Sequence, residues 1–492
     1  MDVMTDFPFA PLITVLSATL LSLWSGWGLV RLTAPAALRW AAWWLTPLYG
    51  YVLNLVISYW WFRSGSGLWY ALATIALLGG GLNLLAWRRG SLTDGQRPAR
   101  SDLVLSAILL ISLAVGLAPQ LNYGTPALIG GGWDVENYAP TALYAQRGGL
   151  DDIPQQPANP LRDANADPAR NGLTLGFSLM LGLVTLPIGQ PVLFGFTALL
   201  AWLRVLGLIA VFVTLRQLLQ LRPWPAVAGT ALTAAGSLLL WVSYFNFGMQ
   251  LAAWPLLPLG LLLGAAALPD LVERGRAGWP AAVGLVLTAA ALPISYYPAL
   301  GSLAGPALLL GLWLLRQSPQ RGRLLIAAAA VAAATLVVAL PTIPDYFAGF
   351  SYRYSLPLTT LGIFRFISIE EIVGLSPYLF RADAPLRDAA VLLGLLLWAA
   401  LTLLALLRGP ARVPLAALLF GSLLFLLQIR FGREYHYGYL KAAAYVGWIA
   451  AAAAAAGLQA LSDRPQRAAR WTAIGLALLL VLQSGIAQLR VV

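Results

Sequence analysis

Long apolar blocks recur along this chain, each about 16 to 24 residues with almost no charge, the length an α-helix needs to cross roughly 30 Å of hydrocarbon. Inside a bilayer the backbone can satisfy its N–H and C=O groups only within a helix or a closed barrel. Leu, Ala, Gly and Val dominate the blocks, without the alternation in polarity that barrel strands show, so helices are expected. Composition agrees, since 60% of the 492 residues are hydrophobic and 10% are charged, against roughly 45–50% and 25% in soluble domains. The expected fold is all-α, a polytopic transmembrane helical bundle.

About fourteen spans are expected. They run Pro8 to Val30, Trp40 to Phe62, Leu68 to Trp87, Asp102 to Ala118, Pro191 to Leu215, Pro225 to Tyr244 and Gly248 to Leu268. The remainder run Trp279 to Pro293, Pro298 to Leu315, Leu324 to Ala339, Ala389 to Leu407, Val413 to Ile429, Leu440 to Leu458 and Trp471 to Ala487. With both termini outside, the short arginine-bearing connections fall on the cytoplasmic side, as the positive-inside rule predicts. These hold Arg31 and Arg39, Arg88 and Arg89, Arg216 and Arg222, Arg274 and Arg276, Arg321 and Arg323, Arg408 and Arg412, and Arg464 to Arg470. Arg63 in a short outer turn and the basic cluster after Ile429 are exceptions. The alternation requires Leu175 to Ile188 to remain a re-entrant or interfacial helix that does not cross.

Two long connections, 119–190 and 341–388, then emerge on the outer side, and their aromatic content predicts short packed helices rather than disorder. The polar stretch Gly90 to Arg100 divides the chain into an accessory transmembrane module, 1–90, and a main module, 101–492. The chain has no cysteine, which excludes disulfides, thiolate metal sites and a cysteine nucleophile. The net charge of +12 is scattered between apolar blocks, a distribution that speaks for membrane topology and against nucleic acid. Asp2 and Asp6, with no basic residue ahead of the first block, argue against a cleaved signal peptide.

Two clusters carry chemistry. The first is Gly130-Gly131-Gly132-Trp133-Asp134-Val135-Glu136-Asn137-Tyr138 in the first long connection. The glycines allow a sharp turn, and Asp134 and Glu136 follow at the start of a short helix, where a carboxylate could take a proton from a hydroxyl. The alternative is structural, with Asp134 as N-cap and Glu136 complementing the helix dipole. The second cluster runs Arg430 to Lys441 and holds the only histidine and the only lysine of the chain. Arg433, His436 and Lys441 could bind a phosphate, with Tyr435 and Tyr437 as an aromatic wall. Its alternative is an interfacial belt of aromatics and snorkelling cations. Arg204 is the one clear charge within a span, facing either a cavity or the outer surface. No histidine or acid has metal-ligand spacing; a divalent ion on Asp134 and Glu136 stays open.

In the order of these parts the chain resembles the GT-C superfamily of membrane glycosyltransferases, which take sugars from polyprenyl-phosphate carriers. A span leads into a long loop with the acidic pair in Trp-Asp-Val-Glu-Asn-Tyr. An external helix follows at Leu175 to Ile188, then a span bearing Arg204, and later the Tyr437-to-Lys441 segment. The resemblance implies transfer with inversion at the outer face of the cell membrane, with Asp134 or Glu136 as base. It implies Arg433, His436, Lys441 and Arg204 on the donor phosphate, and Trp133, Tyr138, Tyr435 and Tyr437 along the substrate groove. It implies a polyprenyl-phosphate-linked sugar and a glycan, lipid or protein acceptor as partners, with membrane lipids around the protein and no cofactor. Rival readings are a transporter or lipid flippase, and an enzyme like an O-antigen ligase or polymerase.

Overall fold

The structure, a computed structural model, describes residues 9–90, 99–123, 134–149, 174–347, 366–377 and 385–489. Among them every regular element is helical. In chain order the helices are α1 Ala10–Thr33, α2 Ala42–Arg63, α3 Leu68–Arg88, α4 Arg100–Tyr123, α5 Asp134–Arg147, α6 Gly176–Thr185 and α7 Val192–Gln217. They continue with α8 Pro223–Ala234, α9 Ser237–Tyr244, α10 Gly248–Ala253, α11 Leu256–Arg274, α12 Trp279–Tyr296 and α13 Ala299–Gln317. The last five are α14 Arg321–Ala339, α15 Pro385–Arg408, α16 Arg412–Leu427, α17 His436–Ser462 and α18 Arg467–Leu489. Proline in the first turn of α8 and α12 needs no hydrogen-bond partner there, and Gly275, at φ 54°, closes α11.

Eleven helical stretches among the described residues are long and apolar enough to cross a membrane, or twelve if the bent pair α8 and α9 is one span. This is the architecture of a multi-pass membrane protein. The number differs from fourteen for two physical reasons. First, α2 is long enough but is not among the eleven, because Trp43, Trp44, Tyr49, Tyr51, Asn54, Tyr59, Trp60 and Trp61 dilute its hydropathy. Second, α10, α11 and α12 follow one another with such short breaks that Gly248–Tyr296 counts as one stretch of 49 residues, about 70 Å if straight and so too long for one crossing.

Burial sorts the helices into centre and rim. The apolar stretch of α7 is 94% buried and that of α17 is 78% buried, against 22% for α3, α13, α15 and α18. The rim helices turn Leu77, Leu308, Leu392 and Leu478 outward, a continuous apolar surface suited to lipid rather than water. Helices α1 to α3 share the largest core cluster with α7 and α11. The Tyr51 hydroxyl of α2 donates to the Ala252 carbonyl at 2.6 Å, and Ser17 of α1 donates to the Val184 carbonyl at 2.7 Å. Close crossings rest on small residues, as where Gly50 lies against the Ser22 backbone and Gly305 against Gly421.

Helix α6 has ten residues, about 15 Å of rise, which is shorter than a span needs. The external helix expected at Leu175 to Ile188 is amphipathic, but all ten residues of α6 are buried, so no face of it is exposed.

Candidate functional site

Several turns and described parts of both long connections gather at one end of the bundle. A Cβ on Gly149, just after α5, would strike the Gly65 backbone in the turn between α2 and α3. The Leu175 N–H donates to the Ile294 carbonyl at 3.3 Å, which pins the start of α6 to the end of α12. Beyond α14, Asp345 reaches the last turns of α2.

The acidic pair belongs to this end. Asp134 is the first residue of α5 and Glu136 lies in the same first turn, as the glycine-to-helix pattern predicts. Trp133 and the side chains of Asp134 and Glu136 lie outside the described residues. Helix α5 is held on α6 by apolar and polar contacts together. The Tyr138 ring packs 5.7 Å from Phe177 and lies nearly parallel to Phe196 at 6.5 Å. Gln146 Nε2 donates to the Gly182 carbonyl and to Thr185 Oγ1, both at 2.9 Å.

From α6 the contacts continue to the late cluster. The Phe177 N–H points to Met249 Sδ at 3.3 Å, and Gly248 lies so close to the Phe177 ring that a side chain there would collide with it. Gln250 Nε2 donates to the Lys441 carbonyl at 3.0 Å, and the Tyr445 hydroxyl donates to the Gln250 carbonyl at 3.1 Å. Lys441 Nζ sits over three rings, Tyr437 at 4.1 Å, Tyr296 at 5.0 Å and Phe247 at 5.1 Å. Those π faces hold the ammonium by cation–π attraction. Phe247 and Tyr437 pack edge to face at 5.8 Å, and Tyr435 lies 6.3 Å from Tyr437.

His436 faces a different neighbour. It lies five residues before Lys441 in α17, about 140° around the helix, and its ring covers Phe366 at 3.9 Å. Arg430 stacks on the other residues of this group, 5.1 Å from Phe366 and 5.7 Å from Tyr439. Phe366 belongs to the second long connection, whose one-turn helix Ile369–Ile372 is fixed by a capping box between Ser368 and Glu371. The cations and aromatics of the late cluster thus divide between a Lys441 group and an Arg430–His436 group. Arg433 lies exposed, ahead of Glu434, whose positive φ of 49° turns the chain into α17.

Arg204 lies apart from both groups. It sits twelve residues into α7, about 18 Å along the helix, and is fully buried, which rules out snorkelling to the surface. Its Nη2 donates to the Ala234 carbonyl at 2.5 Å, where α8 ends and the path bends by 45° into α9. A cation at a helix C-terminus meets carbonyls that lack helical partners. Nε and Nη1 have no hydrogen-bond partner among the described residues.

A third polar group was not visible as such in the sequence. The Tyr59 hydroxyl donates to Asp345 Oδ2 at 2.5 Å, and Arg63 Nη1 lies 3.3 Å from Oδ1. Tyr59 and Arg63 are four residues apart on one face of α2, and that spacing, with an arginine that is an exception to the expected charge alternation, was the available signal. Burial raises the Asp345 pKa, partly offset by the Tyr59 hydrogen bond and the Arg63 charge. Among the described residues no three His, Cys, Asp or Glu side chains gather as metal ligands. In comparison with known proteins, no family model matches this chain and no curated protein matches it either.

Proposed function

We propose that this protein is an integral membrane glycosyltransferase of GT-C type, transferring a sugar from a polyprenyl-phosphate donor to an acceptor hydroxyl on the outer face, with inversion. The observation that carries the reading is the unbroken path of contacts from α5, through Phe177 and Gln250, to Lys441. It supports a single site that draws on segments three hundred residues apart in sequence, about as many as separate Asp134 from Lys441.

In this reading α2 crosses despite its aromatics and the long run from α10 to α12 crosses twice, which with α8 and α9 as one span makes about fourteen crossings. The arginine-rich turns then lie in the cytoplasm and both long connections lie outside. Asp134, or Glu136 in its place, removes the acceptor proton. The acceptor oxygen attacks the anomeric carbon, and the bond from that carbon to the phosphate oxygen breaks, leaving the electron pair on polyprenyl phosphate. Lys441 balances the phosphate charge together with the exposed Arg433, and Trp133, Tyr138, Tyr435 and Tyr437 line the groove, whereas His436, turned onto Phe366, and Arg204, buried on the Ala234 carbonyl, are set away from it. No cofactor is required by these steps, although a divalent ion on the acidic pair is compatible with them.

The test is transfer from polyprenyl-phosphate sugars by purified protein in nanodiscs. Asp134→Asn or Glu136→Gln is expected to lower kcat by about 100-fold or more, and Lys441→Ala to weaken donor use. Full activity in both carboxylate variants, with activity abolished in His436→Ala and Lys441→Ala, sinks the carboxylate-base mechanism and favours a ligase-like enzyme. One observation favours the rival transporter reading: a bent helix pair with the buried Arg204 at its break. Movement of a lipid-linked sugar across proteoliposome membranes, with no transfer, would decide for it.

A further inference from the structure

Beside the Lys441 group lies a narrow cleft with about 10 Å³ of free volume. It is walled by Tyr59, Thr174, Tyr297, Thr342, Asp345 and Tyr346, and it admits one water-sized group at a time. Its base is the junction of α6 and α12 already described. Tyr297 forms one wall, while its neighbour Tyr296 carries Lys441 on its ring, so the cleft and the cation are separated by a single residue of chain. Tyr297 and Tyr346 meet edge to face at 5.3 Å.

The charges present narrow the ligand class. Asp345 is balanced by Arg63 at 3.3 Å, so the cleft offers no net charge. An entering anion meets the lining carboxylate, and an entering cation gains little from a carboxylate already paired with Arg63. A neutral hydrogen-bond donor meets neither objection. Each carboxylate oxygen has two lone-pair directions, and among the described residues the contacts to Tyr59 and Arg63 use one on each, which leaves acceptor capacity on both. A cleft of this width, lined by a carboxylate, hydroxyls and tyrosine rings, takes one hydroxyl of a larger polar molecule rather than a whole sugar ring.

We propose that Asp345 accepts a hydrogen bond from one hydroxyl of the saccharide, which enters this cleft while the lipid phosphate lies at Lys441. The inference rests on the transferase reading in taking the ligand for a saccharide. It assigns Asp345 to binding and orientation, with no share in proton transfer. The hydroxyl belongs either to the donor sugar or to a saccharide acceptor, and the two sources are separable.

The experiment measures binding to the full-length protein in nanodiscs, using polyprenyl-phosphate glucose, mannose, galactose and arabinose, the methyl glycosides of the same sugars, and sugar-free polyprenyl phosphate. Asp345→Asn, and Thr174→Leu, which fills the cleft and leaves the Asp345–Arg63 pair intact, are each expected to weaken the best saccharide probe by about tenfold, the value of one hydrogen bond to a charged group. Both should bind sugar-free polyprenyl phosphate as wild type does, whereas Lys441→Ala should weaken that probe. A loss confined to lipid-linked sugars assigns the hydroxyl to the donor, and one confined to methyl glycosides assigns it to the acceptor. If Asp345→Asn does not fold, Thr174→Leu decides alone. Undiminished saccharide binding in the folded variants, or no saccharide binding by wild type, overturns the proposal. A wild type that binds saccharides and transfers none overturns the transferase reading and leaves this one standing.

Discussion

Arg63, at the end of α2, breaks the alternation of arginine-bearing turns that the sequence leads one to expect, and its charge is matched by Asp345. The carboxylate is held partly out of water, which raises its pKa despite Tyr59 and Arg63. The folded state therefore binds the Asp345 proton more tightly than the unfolded chain does. Stability from this group is fully present below the unfolded pKa and is lost as pH rises through the raised folded value. Thermal unfolding of wild type and Asp345→Asn, compared across the acidic range up to neutrality, should show wild type gaining on the variant as pH falls. A gap that is flat or widens the other way contradicts the burial argument. Arg204 poses the complementary case of a buried cation held by one carbonyl, with two of its nitrogens unpartnered among the described residues. Arg204→Ala leaves a void, while the Ala234 carbonyl keeps its hydrogen bond from Gln488 Nε2, and a loss of roughly 2–5 kcal/mol is expected in equilibrium unfolding. Arg204→Met, of similar length and apolar, should lose much less.

At the scale of elements, helix crossings depend on where side chains are missing. The α1–α2 crossing brings Gly50 onto the Ser22 backbone, and any Cβ at that position overlaps backbone that cannot swing aside. Gly50→Leu is expected to part the two helices and to abolish folded protein in size-exclusion profiles, while Gly311→Leu, at a position with open space, should be silent. The same reasoning explains α6. Its ten residues are too short to cross and too apolar to lie at an interface, so burial among α2, α5, α7 and α10 is what remains for it. That placement makes it the piece between the acidic helix and the Lys441 group. The bend at Gly236 likewise ends α8 where a buried guanidinium can take its last carbonyl.

For the whole molecule the open question is sidedness, and a chain without cysteine answers it cleanly, since any introduced thiol is the only one present. In intact cells Ser66→Cys, in the turn between α2 and α3, should react with a membrane-impermeant maleimide. Ser318→Cys, in the turn before α14, should react only after permeabilisation. The reverse pattern would invert the topology and remove the proposed site from the outer face. The grouping of the α2–α3 turn, the start of α6, the end of α12 and the start of α17 at one end of the bundle is independent of which side that end faces.

Much of this architecture follows from sequence alone, because lipid leaves the backbone no alternative to helix wherever about 20 apolar residues run together. The helical class, the positions of most long apolar helices, the short helix at Asp134 and the shortness of the helix after Leu175 are of this kind, each decided by local composition. What tertiary structure decided is which distant residues meet. Tyr59 and Asp345 are 286 residues apart in sequence and Gln250 and Lys441 are 191 apart, and no periodicity encodes such pairings. Nor could the sequence divide Arg430 and His436 from Lys441, because the division depends on Phe366 arriving on one side of α17 and Phe247 on another. Hydrophobic length specifies that a helix crosses; only side-chain packing between helices specifies what it faces.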